Sequence, residues 1–472
     1  MKIINKITTL ILIFSFLMTS GFGCKVVDKK TKLAMTPITL NYWRVWDDED
    51  AFEEIIENYQ KLHPFVTINY KKLRYQEYEQ KLLEAMSEDR GPDIFSIHAA
   101  WVKKYRNKIT PLPPATTMAV PIKKGTIKQE VIPELRTTKT VTLRELKNRF
   151  VDTIFDDVVI EKKEEDKSIS RKIMALPLAT DNLVMYYNRD LLNNAGVPEP
   201  PKYWNRDFQK MIKNLTKIDY EGNILQSGVA MGGSDNIERY SDIISILMMQ
   251  NGAIMLDAKD SVSFHKIPKN LKGQDYHPGI EALRFYTDFS NESKEVYCWN
   301  DKLENSIDLF TQGKLAIMFG YSYHLPTIQT RAPKINLGIA RLPQIEDSEE
   351  INIANYWVET VSKKSKHSEA AWDFLHFMTT NEKQVKIYLN NTKKPTALRS
   401  LIDEQKNDDH LATFASQILT AKNWYRGEDY NAAEFIMKGM IDDVINGKEK
   451  INTALNLAAR RIQETIIKKD KD

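Results

Sequence analysis

Residues 38–98 read ITLNYWRVWDDEDAFEEIIENYQKLHPFVTINYKKLRYQEYEQKLLEAMSEDRGPDIFSIH, and the spacing of their apolar positions decides the fold. Ile38, Leu40 and Tyr42 alternate with Thr39, Asn41 and Trp43, the period of a strand. Asp47, Asp48 and Asp50 follow, acids suited to the positive end of a helix. Phe52, Ile55, Ile56 and Tyr59 recur at helical spacing, and Pro64 ends the run. Val66, Ile68 and Tyr70 alternate again. Tyr78, Leu82, Ala85 and Met86 mark a second helix, closed by Gly91-Pro92, and residues 93–98 form a third strand. The order β-α-β-α-β predicts an α/β fold on a parallel, doubly wound sheet.

Residues 103–175 interrupt this rhythm. Pro111, Pro113, Pro114, Pro121 and Pro133 fall in the segment, and charges run from residue 161 to 167. The segment reads as an insertion with one or two helices around 142–158, the charge run being a solvated hairpin tip. Beyond it the alternation resumes. Residues 175–188 are strand-like, and Phe208, Met211, Ile212 and Leu215 form a helical stripe. Ile243, Ile244, Leu247 and Met248 lie on a helix ended by Asn251-Gly252. Pro278 opens another. Strands follow at 315–319, 337–342 and 351–361, and the last hundred residues are mainly helical. No repeat of fixed period is present.

With 472 residues the chain is too long for one ordinary core, so two domains are expected. Hydrophobic residues at 42% and charged residues at 28% are those of a soluble globular protein. Lys and Arg number 67 against 64 Asp and Glu, a formal charge of +3, which gives no field favouring nucleic acid or a membrane surface. The first residues carry Lys2 and Lys6, then an apolar run from Ile7 to Met18 that is too short to span a bilayer. Ser20, Gly21 and Gly23 precede Cys24. Residues 1–23 therefore read as a signal peptide. Cys24 resembles the lipidated cysteine of bacterial lipoproteins, although Gly21 stands where that motif usually has Leu. Residues 24–36 read as the anchor and a polar tether. With Cys24 acylated, Cys298 has no intramolecular partner and no disulfide forms.

Five stretches, in order, resemble the extracellular solute-binding proteins of the maltose-binding type. They are Leu40-Asn41-Tyr42-Trp43 on to His63-Pro64; Gly91-Pro92-Asp93-Ile94-Phe95; Ala175-Leu176-Pro177 to Tyr187-Asn188-Arg189-Asp190-Leu191; Phe310-Thr311-Gln312-Gly313-Lys314-Leu315-Ala316 to Gly320; and Ala370-Ala371-Trp372-Asp373-Phe374-Leu375. The resemblance implies a two-lobed periplasmic-binding fold of type II, each lobe a mainly parallel sheet flanked by helices. It places lobe one at 37–180 plus 360–395, with the insertion at 103–175, and lobe two at 183–355 plus 396–472. It further implies hinge closure around a solute and delivery to the permease subunits of an ABC importer. The chain would act as a monomer outside the cytoplasm, held to the membrane by its lipid, without cofactor or catalysis.

A parallel sheet binds its ligand beyond the C-terminal ends of its strands. That rule selects Trp43 and Trp46 after the first strand and His98 and Trp101 after the third. Asp181 and Asn182 sit at the first crossing between lobes, and Asn355, Tyr356 and Trp357 at the second. Tyr321 and Tyr323 follow the strand at 315–319. Trp424 precedes a C-terminal helix where the family often places a ligand aromatic. Aromatic faces cover the C–H face of a sugar ring, while carboxylates and amides take its hydroxyls. Of the eight Trp, Trp372 and Trp204 are expected to pack inside instead. No GxSxG, P-loop, GxGxxG or HExxH motif occurs, and the eight His show no metal-ligand spacing. A secreted carbohydrate-active enzyme and a surface adhesin remain as alternatives.

Overall fold

The computed structural model describes Thr31 and residues 34–124, 130–163 and 168–466. The expected signal peptide, Cys24 and the hairpin tip at 164–167 lie outside them.

The opening stretch folds as its spacing dictates. Strands β1 (Ile38–Arg44), β2 (Val66–Lys72) and β3 (Ile94–His98) alternate with helices Glu53–Leu62 and Tyr75–Ser87. β1 pairs in parallel with β2, Ile38 opposite Val66, and with β3, Tyr42 opposite Ile94. The chain continues through β4 (Ile109–Thr110) into the expected insertion. A long hairpin, β5 (Ala115–Lys124) with β6 (Glu130–Lys139), opens it and was not foreseen. Helices Leu143–Arg149 and Asp152–Val158 follow, the first with a capping box between Thr142 and Glu145. A short hairpin, β7 (Val159–Lys163) with β8 (Ile169–Ile173), closes the segment.

The remaining strands are β9 (Asp181–Asn182), β10 (Val184–Asn188), β11 (Lys217–Ile218), β12 (Ile224–Val229), β13 (Leu315–Gly320), β14 (Leu337–Ala340), β15 (Asn352–Asn355), β16 (Trp357–Ser362) and β17 (Ala421–Lys422). Among the described residues they build two five-stranded sheets, β2-β1-β3-β16-β4 in lobe one and β11-β12-β13-β10-β14 in lobe two. A three-stranded ribbon, β17-β15-β9, joins them.

The two-lobed α/β class is the one expected, but the pairing is more mixed than a mainly parallel sheet. β16 runs antiparallel to β3 and β4, and in lobe two β12–β13 is the parallel pair among four. The cause is the connecting ribbon. β10 leaves β9 and β16 leaves β15, so each enters its sheet from the ribbon and runs away from it. Trp357, the first residue of β16, therefore lies opposite His98, the last of β3, and Val184 lies opposite Gly320. The ends of β3 and β13 both point at the gap between the lobes.

One boundary also shifts. Residues 396–401 stay with lobe one: Thr396 bridges Ala179, Leu398 bridges Phe150, and Arg399 Nε donates to the Phe150 carbonyl over 2.7 Å. The chain meets lobe two at helix Ala412–Gln417, where the Thr413 hydroxyl donates to the Ile339 carbonyl of β14 over 3.3 Å and the Phe414 carbonyl accepts from Asn182 of the ribbon.

Large buried side chains fill both lobes. Tyr42, Phe52, Tyr59, Tyr78 and Phe95 are fully buried in the first, with Trp372 on helix Ser368–Thr380. Tyr286, Phe289 and Trp299 are buried in the second. Trp204 packs against Phe208 with ring centres 4.9 Å apart and donates to Gln250 Oε1 over 2.7 Å.

Candidate ligand-binding site

Successive side chains of β1 point to opposite faces, so Tyr42 and Arg44 turn inward together and Trp43 turns away. Arg44 is buried, which demands a counterion. Glu359 Oε1 lies 3.1 Å from its Nη2 and Asp47 Oδ2 3.3 Å from its Nη1. The Tyr42 hydroxyl donates to the other Glu359 oxygen over 2.7 Å. Asp47 adopts φ 70°, a left-handed turn that Asp tolerates better than most residues. In that turn its carboxylate meets Lys394 Nζ at 2.6 and 2.8 Å and the Tyr388 hydroxyl at 2.8 Å. Burial alone would raise the Asp47 pKa. Lys394 and then Arg44 outweigh it and hold the carboxyl below its ordinary range.

Above this charged floor stands an aromatic wall. Trp46 is 44% and Tyr75 43% exposed, and the two rings stack 5.4 Å apart at 20°. Trp357 meets both edge-on at 6.3 Å and Trp101 at 5.5 Å. Trp101 is buried and buttresses the wall. His98 Nδ1 accepts the Ala100 N–H, which leaves Nε2–H to face Asn355 Oδ1 at 3.2 Å. Burial pushes the His98 pKa down to about 4, the Asn355 bond offsetting part of the effect.

Lobe two supplies the opposite wall. Arg239, in a left-handed turn before helix Tyr240–Gln250, is held by Asp242 at 2.7 Å, Glu434 at 3.0 Å and the Tyr430 hydroxyl at 3.3 Å. Tyr323 is 47% exposed and stacks on Tyr321, ring centres 5.7 Å apart. The Tyr430 ring comes within 5.1 Å of His98, so the two lobes touch here. At the ribbon, Asp181 accepts from Ser322 N–H at 2.9 Å, from Ser322 Oγ at 2.6 Å and from Asn182 N–H at 2.8 Å. The cleft walls crowd this carboxyl so closely that burial pushes its pKa up to about 7 in spite of those three bonds.

These walls enclose a cavity of about 610 Å³, within the roughly 300–1,000 Å³ of small-molecule sites. Of the residues selected from sequence, Trp46, His98, Trp101, Asp181, Tyr323, Asn355, Tyr356 and Trp357 line it. Four do not. Trp43 sits on the far face of β1 beneath Lys71, whose Nζ is 4.9 Å from the ring. Asn182 is fully buried, spanning the Phe414 carbonyl and Gln417 Nε2. Tyr321 is fully buried and donates to Asp242 over 2.7 Å, supporting the wall from behind. Trp424 packs against Tyr425 outside the cavity, and the aromatic that helix Tyr430–Ile445 brings to it is Tyr430.

Residues 46–385 match the sequence pattern described as "Bacterial extracellular solute-binding protein". The chain belongs to that family. Among similar family members is the maltodextrin-binding protein MdxE of Bacillus subtilis (strain 168), 23% identical over 66% of this chain and 70% of that one. A maltooligosaccharide ABC transporter solute-binding lipoprotein of Streptococcus pneumoniae (strain ATCC BAA-255 / R6) is 24% identical over 63% of this chain and 67% of its own. Among solved structures, a cyclo/maltodextrin-binding protein complexed with maltotetraose superposes with a TM-score of 0.69, 16% identity and coverage of 92% of this chain and 99% of that one. The cyclic alpha-maltosyl-1,6-maltose binding protein of Arthrobacter globiformis gives 0.69 at 18% identity, over 91% and 99%.

The charged half of this cleft escaped the sequence reading. Arg44, Asp47 and Lys394 on lobe one, and Arg239 and Glu434 on lobe two, all line the cavity. Arg44 was signalled by strand alternation two residues before Trp46. The others come from segments whose approach to the cleft is set by tertiary docking. Each cation here already faces a carboxylate of the protein, so the cleft offers no unpaired positive charge among these residues. What it does leave open are the exposed aromatic faces of Trp46, Tyr75 and Tyr323.

Proposed function

We propose that the cleft captures a neutral sugar, an oligosaccharide of the maltodextrin class, and that the lobes close over it by rotation about the β17-β15-β9 ribbon. The observation that carries the reading is the set of exposed rings, Trp46 and Tyr75 on one wall and Tyr323 on the other, around one cavity. Flat apolar faces flanked by hydrogen-bonding groups suit a pyranose, which has a C–H face and an equator of hydroxyls. The relatives named above support the same class of ligand.

In this reading the chain works as a monomer on the outer side of the membrane, tethered through a lipid on Cys24, and passes its ligand to ABC permease subunits unchanged. A thermal-shift series on residues 37–472 with maltose, maltotetraose, cyclodextrin, amino acids and phosphate esters tests it. The maltodextrins should raise the melting temperature, because a ligand bound to the folded state alone stabilises it by mass action. No rise with any sugar, or hydrolysis of the sugar during incubation, would overturn it. Cys24→Ser should release the protein from the membrane fraction.

A further inference from the structure

The lobes meet a second time beside the ligand cavity. Helix Val102–Tyr105, just past β3, and helix Asp152–Val158 of the insertion face a lobe-two loop at Asp260 and the stretch 423–428 after β17. Four polar contacts cross between them. Lys103 Nζ is 2.6 Å from Asp260 Oδ2, and Arg106 Nη1 is 2.7 Å from Glu428 Oε1. Asn423 Nδ2 donates to Asp157 Oδ2 over 2.8 Å, and Arg426 Nη2 lies 4.0 Å from Asp156 Oδ2. A separate cavity of about 530 Å³ lies between, lined by Lys103, Asp156, Asp157, Asp260 and Arg426 among others. It shares no lining residue with the ligand cavity.

The contacts differ in their place relative to the ribbon. Asn423 directly follows β17, and Asp157 also accepts from the Tyr356 hydroxyl, between β15 and β16, over 2.7 Å. This inner pair sits near the axis. Lys103 and Arg106 project from beyond the cleft end of β3, and Asp260 stands on a lobe-two loop at φ 57°. A rotation about the ribbon separates these outer pairs most.

We infer that Lys103–Asp260 and Arg106–Glu428 form an electrostatic latch that sets the closed fraction of the unliganded protein; the inference rests on the hinge closure proposed above. Both pairs are partly exposed, so each is worth up to about fivefold in an equilibrium and is weakened by salt. That strength suits a contact broken and remade in every transport cycle. The pairs lie outside the sugar site, so the latch shifts apparent affinity through the population of the closed form rather than through contact with ligand.

The test is the interlobe distance in ligand-free protein, read by pulsed electron paramagnetic resonance between labels at Lys61→Cys and Lys210→Cys. In residues 37–472, which lack Cys24, the one native cysteine is Cys298, which is buried and stays unlabelled. Raising salt should lower the closed population of the wild type several-fold. Lys103→Glu with Arg106→Glu sets acids against Asp260 and Glu428, so it should lower the closed population at low salt and invert the salt response, because salt screens the new repulsion. Adding Asp260→Lys and Glu428→Lys should restore both. An unchanged distribution in the reversal variant, with maltotetraose still closing it, sinks the latch and leaves closure standing. A reversal that the swap fails to restore also sinks it. One interlobe distance in the wild type, unmoved by salt or any sugar, sinks closure and the latch together.

Discussion

Trp46→Ala isolates the aromatic wall. The ring system offers roughly 250 Å², and 44% of it is exposed, leaving on the order of 110 Å² for a ligand to cover. At about 25 cal/mol per Å² the whole of that is worth about 2.7 kcal/mol, and one face about 1.4 kcal/mol. The substitution should therefore weaken binding between about ten- and a hundredfold, since each 1.4 kcal/mol is a factor of ten. The fold should lose little, because the ring is half in solvent and its main partner is the equally exposed Tyr75. Titration calorimetry with the maltodextrin giving the largest thermal shift reads the change. Trp43→Ala is the matched control, as its ring lies on the other face of β1 beneath Lys71. Equal losses in the two variants, or none in Trp46→Ala, would refute the assignment of the wall.

Stability should respond to pH through two opposed groups. Asp181 keeps its proton to about pH 7 when folded and loses it near pH ~4 when unfolded, so it erodes stability as pH climbs through that interval. His98 takes a proton below about 4 when folded and below ~6.5 when unfolded, so it adds stability over nearly the same interval. Urea midpoints across it should rise more steeply in Asp181→Asn and turn downward in His98→Gln; identical slopes in both variants would contradict this. Lys394→Met strands Asp47 between Arg44 and Tyr388. It should cost about 2–3 kcal/mol in urea unfolding, less than a fully buried pair because the amine is partly exposed. Gly338→Ala sets a methyl 2.1 Å from Tyr187 Cζ, which should cost about 1–3 kcal/mol by overpacking; an unchanged midpoint would show that the ring yields freely.

The first two strands were legible because each buries one face, and burial writes its period into the sequence; β3, buried along its whole length, was marked instead by Gly91-Pro92 just before it. The β5–β6 hairpin was not, because its prolines look like breakers. Pro121 lies opposite Pro133, and a two-stranded ribbon has outer edges where a missing N–H costs nothing. The antiparallel entries of β10 and β16 depend on the ribbon joining the lobes, a long-range pairing with no local signature. In the cleft, the end of the first strand and an aromatic ring favoured Trp43, while the alternation that was already evident turned Arg44, not Trp43, to the side of Tyr42. Trp424 was chosen for its position before a helix, yet the first turn of that helix carries Tyr430 to the cavity instead. Arg239, Glu434 and Lys394 look like ordinary surface charges in sequence; their role follows from how three distant segments dock.

β16 has a consequence for biosynthesis. It lies between β3 and β4, yet His98 bonds to Asn355 across 257 positions and Tyr42 reaches Glu359 across 317. Until the ribosome has made Trp357–Ser362, β3 keeps a bare edge and the guanidinium of Arg44 lacks its principal counterion. Such distant closure is slow compared with local folding. A member of an extracellular family gains by it, because a polypeptide that cannot fold early remains a thread that a secretion channel can pass. A nascent chain stalled before residue 357 would instead carry that unpaired edge into the crowd of its neighbours, where open strands recruit one another.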